Sequence, residues 1–298
     1  GRGLVSTPEL ALVDPKGKKI GSFGQPEIYN TARLSKDARK IAMDLLDIQA
    51  RNVDIWLHEI DRGVRTRFTF DNLYDQFPIW SPDGSRLLFS SNRKGRYDLY
   101  EKVSTGAANE QSFFESDRDK LATNWSPDGK YILFHSTGDP KTKSDLWILP
   151  VFGDRKPTVF FQTDYSESFG RFSPDMKWIA YQSDESGKNE VYVRPFPGPG
   201  GKWQVSTNGG TVPRWHNYGK AIFYSSAGKI MAAEVNGSGL TFVIGKVKEY
   251  FDPSSIGGTT VYDISGDAQR VLLALASGRR SAVPLTLVTN WTEELKKK

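Results

Sequence analysis

Phe77-Pro78-Ile79-Trp80-Ser81-Pro82-Asp83-Gly84-Ser85-Arg86-Leu87-Leu88-Phe89-Ser90-Ser91-Asn92 reads as a strand, a tight turn and a returning strand. Trp80 closes the first run, and Pro82 presets φ for the turn. Asp83 brings a side chain that bonds nearby backbone, and Gly84 allows an angle that other residues resist. Leu87-Leu88-Phe89 begins the return. The unit recurs. Trp125-Ser126-Pro127-Asp128-Gly129 leads into Tyr131-Ile132-Leu133-Phe134, and Phe172-Ser173-Pro174-Asp175 leads into Trp178-Ile179-Ala180-Tyr181. Weaker copies stand at Leu34-Ser35-Lys36-Asp37-Ala38, Trp215-His216-Asn217-Tyr218-Gly219 and Ile264-Ser265-Gly266-Asp267.

The anchors Ser35, Ser81, Ser126, Ser173, His216 and Ser265 are spaced by about 45 residues, the period of a four-stranded propeller blade. A second marker keeps phase with the first. An acidic residue, an aliphatic and an aromatic recur at Asp54-Ile55-Trp56, Asp98-Leu99-Tyr100, Asp145-Leu146-Trp147 and Glu190-Val191-Tyr192. Both markers predict an all-β chain, a six-bladed beta-propeller of four-stranded antiparallel blades occupying residues 1–298 as a single domain. An open ring would expose a blade face and unpaired strand edges, so strands from the N- and C-termini are expected to close it. Leu10-Val13, Ile20-Phe23 and Leu285-Val288 are the candidates, in an order the sequence leaves open. Arg67-Phe70 reads as the fourth strand of the first repeat, and Trp291-Leu295 as a last helical turn.

Composition agrees with this reading. Aromatic residues make up 12% of the 298 residues, and there are 28 Gly and 16 Pro, as many short strands and turns require. The absence of cysteine excludes a disulfide framework, a thiolate zinc site and a Cys nucleophile. Net charge is +5, from 40 basic and 35 acidic residues scattered along the chain, which does not argue for nucleic acid. The longest apolar runs, such as Val271-Ala276, fall far short of the roughly 20 residues of a membrane helix. The chain opens at Gly1 without Met or signal peptide and is expected to be an excised fragment, touching a membrane only through a parent segment.

Trp80-Ser81-Pro82-Asp83-Gly84 followed by Leu88-Phe89-Ser90-Ser91-Asn92-Arg93 and Asp98-Leu99-Tyr100 resembles the repeat of TolB-like beta-propellers. Asn189-Glu190-Val191-Tyr192-Val193-Arg194-Pro195-Phe196-Pro197 and Thr289-Asn290-Trp291-Thr292-Glu293-Glu294-Leu295 are similar to propellers that follow the kinase domain of some bacterial membrane-bound Ser/Thr kinases. That narrower resemblance implies a sensor or protein-interaction domain on the extracytoplasmic, periplasmic side of a bacterium. No kinase motif lies within this chain.

The turn aspartates Asp37, Asp83, Asp128 and Asp175 are read as backbone caps, and Trp56, Tyr100, Trp147 and Tyr192 as inter-blade packing. His58, His135 and His216 fall in separate repeats without metal-ligand spacing. The expected binding surface is the channel mouth formed by the loops that lead into the first strands, where rigid blades present variable loops. There Asp75, Asp119, Asp164 and Glu167 would form an acidic inner rim beside Tyr74 and Tyr165, with Arg93, Arg96 and Lys188 of the loops joining second and third strands outside it. Such a rim suits a protein or peptide partner, a small ligand or a cation in the channel, with no cofactor required. A channel-sited hydrolase or lyase is the alternative, and would need converging acid and base groups.

Overall fold

The computed structural model describes residues 8–23, 27–239 and 241–276, which form six four-stranded antiparallel sheets. Five sheets are meanders built from consecutive stretches: residues 29–67, 75–114, 119–161, 167–204 and 211–251. We number these blades 1 to 5. The first strand of each lies innermost, against the first strands of neighbouring blades. Blade 6 runs outward through Gly258–Ile264, Val271–Leu275, Glu9–Val13 and Lys19–Phe23. No helix among the described residues is long and apolar enough to cross a membrane.

Blade 6 is therefore made from both halves of the chain. Its seam pairs Glu9–Val13 with Val271–Leu275, from Glu9↔Leu275 to Val13↔Val271 without a break. Leu10 and Leu12 are fully buried there, clustered with Leu272, Ile41 and Met43. Each such leucine contributes roughly 1.5–3 kcal/mol through burial. Of the three candidate closing strands, the two N-terminal ones take the third and fourth places. Leu285–Val288 and Trp291–Leu295 lie outside the described residues.

One strand assignment is corrected. The outer strand of blade 1 is Val64–Arg67, paired with Trp56–Glu59, and not Arg67–Phe70. Past Arg67 the chain leaves the ladder, because the amides of Phe68 and Thr69 both donate to the Ile55 carbonyl. Thr69 Oγ1 accepts from the Ile55 amide, and Phe68 enters the core.

The turns explain why the repeat is so persistent. In blades 1, 2, 3, 4 and 6 the serine hydroxyl donates to the carboxylate two residues on, at 2.6 Å. The same oxygen accepts from the backbone N–H five residues on, at 2.9–3.0 Å. The carboxylate in turn accepts from a second N–H, at 3.0–3.2 Å. This clamp holds the fourth turn position at positive φ even where it is not glycine: 54° at Ala38, 61° at Met176 and 57° at Ala268. A left-handed angle costs an L-residue about 1–2 kcal/mol. Blade 5 lacks the clamp, and there His216 Nδ1 accepts from the Tyr218 amide at 3.3 Å.

The acidic member of the second marker has a comparable task. Asp54, Asp98, Asp145 and Glu190 are all buried at the third strands. Asp54 accepts from Arg67 at 2.6 Å, Asp145 from Gln162 at 2.9 Å and Glu190 from the Gly209 amide at 2.8 Å. Each carboxylate thereby fastens the chain where it leaves the fourth strand. The following aromatics stack on their cross-strand partners, as in Phe134–Trp147 with centroids 6.3 Å apart and Tyr181–Tyr192 at 5.9 Å.

Every pairing of an inner strand with the second strand carries a register shift. Register shifts fall between Gln76 and Ile79, Ser168 and Arg171, and Thr211 and Arg214. Phe77, Phe169 and Val212 hold φ of 56°, 53° and 53° at these bulges. The N–H groups of Phe77 and Val212 donate to Asp44 Oδ2 and Gln182 Oε1 of the preceding blade, each at 3.0 Å. A bulge re-aims the residues that follow it. Here those residues are Ile79, Arg171 and Arg214, which line the channel.

Ser126→Ala removes one donor and strands the Tyr131 amide, so it should lower unfolding free energy by about 1–2 kcal/mol. Lys130→Ala, on the exposed side of the same turn, should stay within about 0.5 kcal/mol of the parent. Urea unfolding followed by tryptophan fluorescence measures both.

Candidate functional site

The channel has two mouths. One carries the loops that lead into the inner strands, and the other carries the Ser-Pro-Asp-Gly turns. At the turn mouth, the residue two places before each turn's first residue comes from a different blade. In chain order these are Arg33, Ile79, Asn124, Arg171, Arg214 and Asp263, and they line a cavity of about 580 Å³. Trp80, Trp125, Trp215 and Phe172 wall it, so the charges sit in apolar surroundings.

Each polar member of the ring is placed by contacts across a blade boundary. Trp80 Nε1 donates to the Arg33 carbonyl at 3.1 Å, and Trp215 Nε1 to the Arg171 carbonyl at 3.0 Å. Asn124 Oδ1 accepts from the Phe172 amide at 2.9 Å. Asp263 accepts from Arg214 Nε at 2.8 Å and from the Leu34 amide at 3.0 Å. The carboxylate thus joins blades 5, 6 and 1.

The guanidinium groups are less evenly provided for. Arg33 and Arg214 each donate to the carbonyl of the preceding residue, at 2.9 and 3.0 Å. Among the described residues the Arg171 guanidinium has no hydrogen-bond or ion-pair partner, although Arg171 is 9% exposed. Its Nε, and Arg214 Nη2, are shielded from solvent without an acceptor. Burial, then the fields of Arg214 and Arg33, hold the Arg171 pKa well below the ordinary arginine value. Burial and Arg214 lower Arg33 to about 10. Burial alone would raise Asp263, but Arg214, Arg33 and Arg171 outweigh it and keep that carboxylate below its ordinary value. Three guanidinium groups set against one carboxylate give the mouth a positive field in a medium that screens it weakly.

A second depression adjoins this one. Between blades 4 and 5 a cleft of about 870 Å³ shares Pro174, Trp215 and Asn217 with the channel cavity. Tyr218, 78% exposed, and Val243 lie along it. Together the two form one continuous surface from the channel to the rim.

At the loop mouth, Asp75, Asp119 and Glu167 head the inner strands of blades 2, 3 and 4. Asp75 and Glu167 are fully buried. Arg93 Nη2 donates to both Asp75 oxygens, at 3.1 and 3.2 Å, and Nη1 donates to Glu110 at 2.8 Å. The same guanidinium lies 4.3 Å from the Tyr100 ring. Asp119 accepts from the Tyr97 amide at 2.8 Å, and the Tyr74 amide donates to Asn92 at 2.8 Å. Lys188 lies 3.5 Å from Glu190. Asp164, Tyr165 and Arg96 are exposed, with Asp164 3.6 Å from Lys141. The structure therefore brings Asp75 and Arg93 into direct contact and spreads the rest over three blades: Tyr74 and Arg96 with blade 2, Asp119 with blade 3, and Asp164, Tyr165, Glu167 and Lys188 with blade 4. His58 and His135 pack against Phe23 and Phe169, and no group among the described residues has the makeup of a metal site.

The arginine ring was missed because its members fall inside strands, between apolar neighbours. Setting the six repeats in register on the turn would have placed Arg33, Arg171 and Arg214 in one column.

Burial raises Glu167 to about 7, against the hydrogen bond from Thr163. Its folded-state pKa lies above the ordinary carboxylate value, so folding takes up a proton. Its contribution is present at low pH and is lost as pH rises from about 4.5 to 7. Glu167→Gln should flatten that decline in thermal stability, and Asp164→Asn should leave it in place. Melting temperatures taken across this range decide the point.

Residues 8–145 match the family described as TolB beta propeller domain. Among solved structures, the TolB candidate of Agrobacterium tumefaciens superposes with a TM-score of 0.71 at 14% identity, over 90% of this chain and 98% of that one. TolB of Acinetobacter baumannii gives 0.59 at 20% identity, over 90% of this chain and 64% of that one. The tricorn protease gives 0.56 at 16% identity, over 79% of this chain and 23% of that one. These structural likenesses speak for the fold alone. Taken with the repeat and the six closed blades, the match over residues 8–145 makes the chain a six-bladed beta-propeller similar to the TolB beta-propeller domain.

Proposed function

We propose that this chain is a protein-binding propeller, the sensor or interaction domain of a larger bacterial signalling protein of the Ser/Thr kinase type. The observation that carries the reading is the continuous surface at the turn mouth, where the channel cavity and the cleft between blades 4 and 5 share a wall. Such a surface is preformed, because each piece of it is fastened across a blade boundary. TolB-like propellers mediate protein interactions and are typically periplasmic in bacteria, which fits an extracytoplasmic site of action. The kinase association rests on the resemblance at Asn189–Pro197 and Thr289–Leu295.

Binding suits this cavity better than chemistry does. Asp263, the one carboxylate lining it among the described residues, is committed to Arg214 and to the Leu34 amide. The loop mouth offers a second contact zone at the exposed Asp164, Tyr165, Arg96 and Lys188, since Asp75 and Glu167 are buried.

A photo-crosslinking residue in place of Tyr218, in the full-length protein within the cell that makes it, should yield discrete protein adducts. The same residue in place of Lys246, on the outer strand of blade 5, should not. Adducts at Lys246 alone, or none at either position, would overturn the reading.

A further inference from the structure

We infer that the turn mouth is an anion site, and that its ligand is an acidic peptide segment whose carboxylate seats among Arg33, Arg171 and Arg214 while the chain lies in the cleft between blades 4 and 5. The inference rests on the protein-binding reading above and names the chemistry of the partner.

The charge count comes first. The described lining of the channel cavity has four cations, Arg33, Lys36, Arg171 and Arg214, against the single carboxylate of Asp263. Asp263 already accepts from Arg214 and from a backbone amide, so it has little left for Arg171. A buried guanidinium without a partner is costly, and a counter-charge arriving from outside would offset that cost. Arg171 is such a group, and the shielded Nη2 of Arg214 is a second donor without an acceptor.

The shape decides what kind of anion. An inorganic ion would occupy a small part of a cavity of about 580 Å³ and would leave the adjoining 870 Å³ cleft unused. That cleft is lined by Pro174, Trp178, Trp215, Tyr218 and Val243, surfaces that suit apolar side chains and an extended backbone, while Asp175 and Glu234 beside Lys220 favour placing the segment's carboxylate at the channel end. Planar guanidinium groups match carboxylates in pairs of hydrogen bonds, and apolar walls strengthen them.

The test uses fluorescein-labelled pentaglutamate, with pentaglutamine as the neutral counterpart, read by fluorescence anisotropy at low salt. Pentaglutamate should bind at least tenfold more tightly than pentaglutamine and should weaken as salt rises. Arg171→Met keeps the apolar stem and removes the charge. It should weaken pentaglutamate at least tenfold while leaving the melting temperature unchanged or raised. Asn124→Asp keeps the acceptor for the Phe172 amide and places a carboxylate in the ring. It should weaken binding severalfold in a protein that still folds, and so covers the case in which the Arg171 variant does not. A lowered melting temperature with unchanged binding in Arg171→Met would assign that guanidinium to structure and overturn the inference. Equal binding of the two peptides overturns it as well, and if cross-links at Tyr218 persist, the protein-binding reading stands without it. Inorganic phosphate or citrate displacing pentaglutamate at concentrations as low as the free peptide's would overturn the peptide assignment in favour of a small-anion site.

Discussion

One hydroxyl group sets the local geometry of this protein. At each clamped turn a serine hydroxyl donates a hydrogen bond to a carboxylate and accepts one from a backbone N–H of the returning strand, so a single atom fixes the reversal from both sides. Because three hydrogen bonds converge there, the backbone angle at the fourth position no longer depends on glycine. Ala38, Met176 and Ala268 adopt it anyway. The consequence extends inward. The turn fixes where the inner strand ends, and with it the direction in which the residue two places earlier faces. Five of the six channel-lining positions follow from such a turn, and Arg214 follows from the His216 turn of blade 5.

Closure is the second constraint, and it differs in kind. The turns are local and form within a few residues, whereas the seam joins Glu9–Val13 to Val271–Leu275 across almost the whole chain. Its pairing removes the exposed edges an open ring would present and buries Leu10 and Leu12 between the last blade and the first. Asp263 reinforces the same junction from the channel side, accepting from Leu34 of blade 1 and Arg214 of blade 5. Fold and site thus share a residue, and the geometry of the basic mouth depends on the ring being closed.

The two mouths use charge in opposite ways. At the loop mouth acids meet cations from their own chain: Asp75 takes Arg93, and Asp98 takes Lys120 at 2.8 Å. Such pairs fasten loops and leave little field outside. At the turn mouth cations outnumber carboxylates among the described lining residues, and the surplus is held in apolar walls where it is poorly screened. The first arrangement is structural, and the second is ready for a ligand.

Local chemistry determined what the sequence reveals by itself. Turn residues, the phase of the acidic marker and the blade period all depend on interactions within a few dozen residues, so the six blades, their meander order and the role of the turn aspartates were legible. The acids Asp75, Asp119 and Glu167 were also legible as heads of inner strands, since strand boundaries are local. Their burial was not, because it depends on Arg93 reaching back to Asp75 and on the chain packed over Glu167. The end of blade 1 was misplaced for a similar reason: the Ile55 carbonyl draws Phe68 and Thr69 out of the ladder. Only the tertiary structure could assemble Arg33, Arg171, Arg214 and Asp263, which lie up to 230 residues apart in sequence. Bulges and ring closure bring them together, and neither leaves a mark in any one repeat.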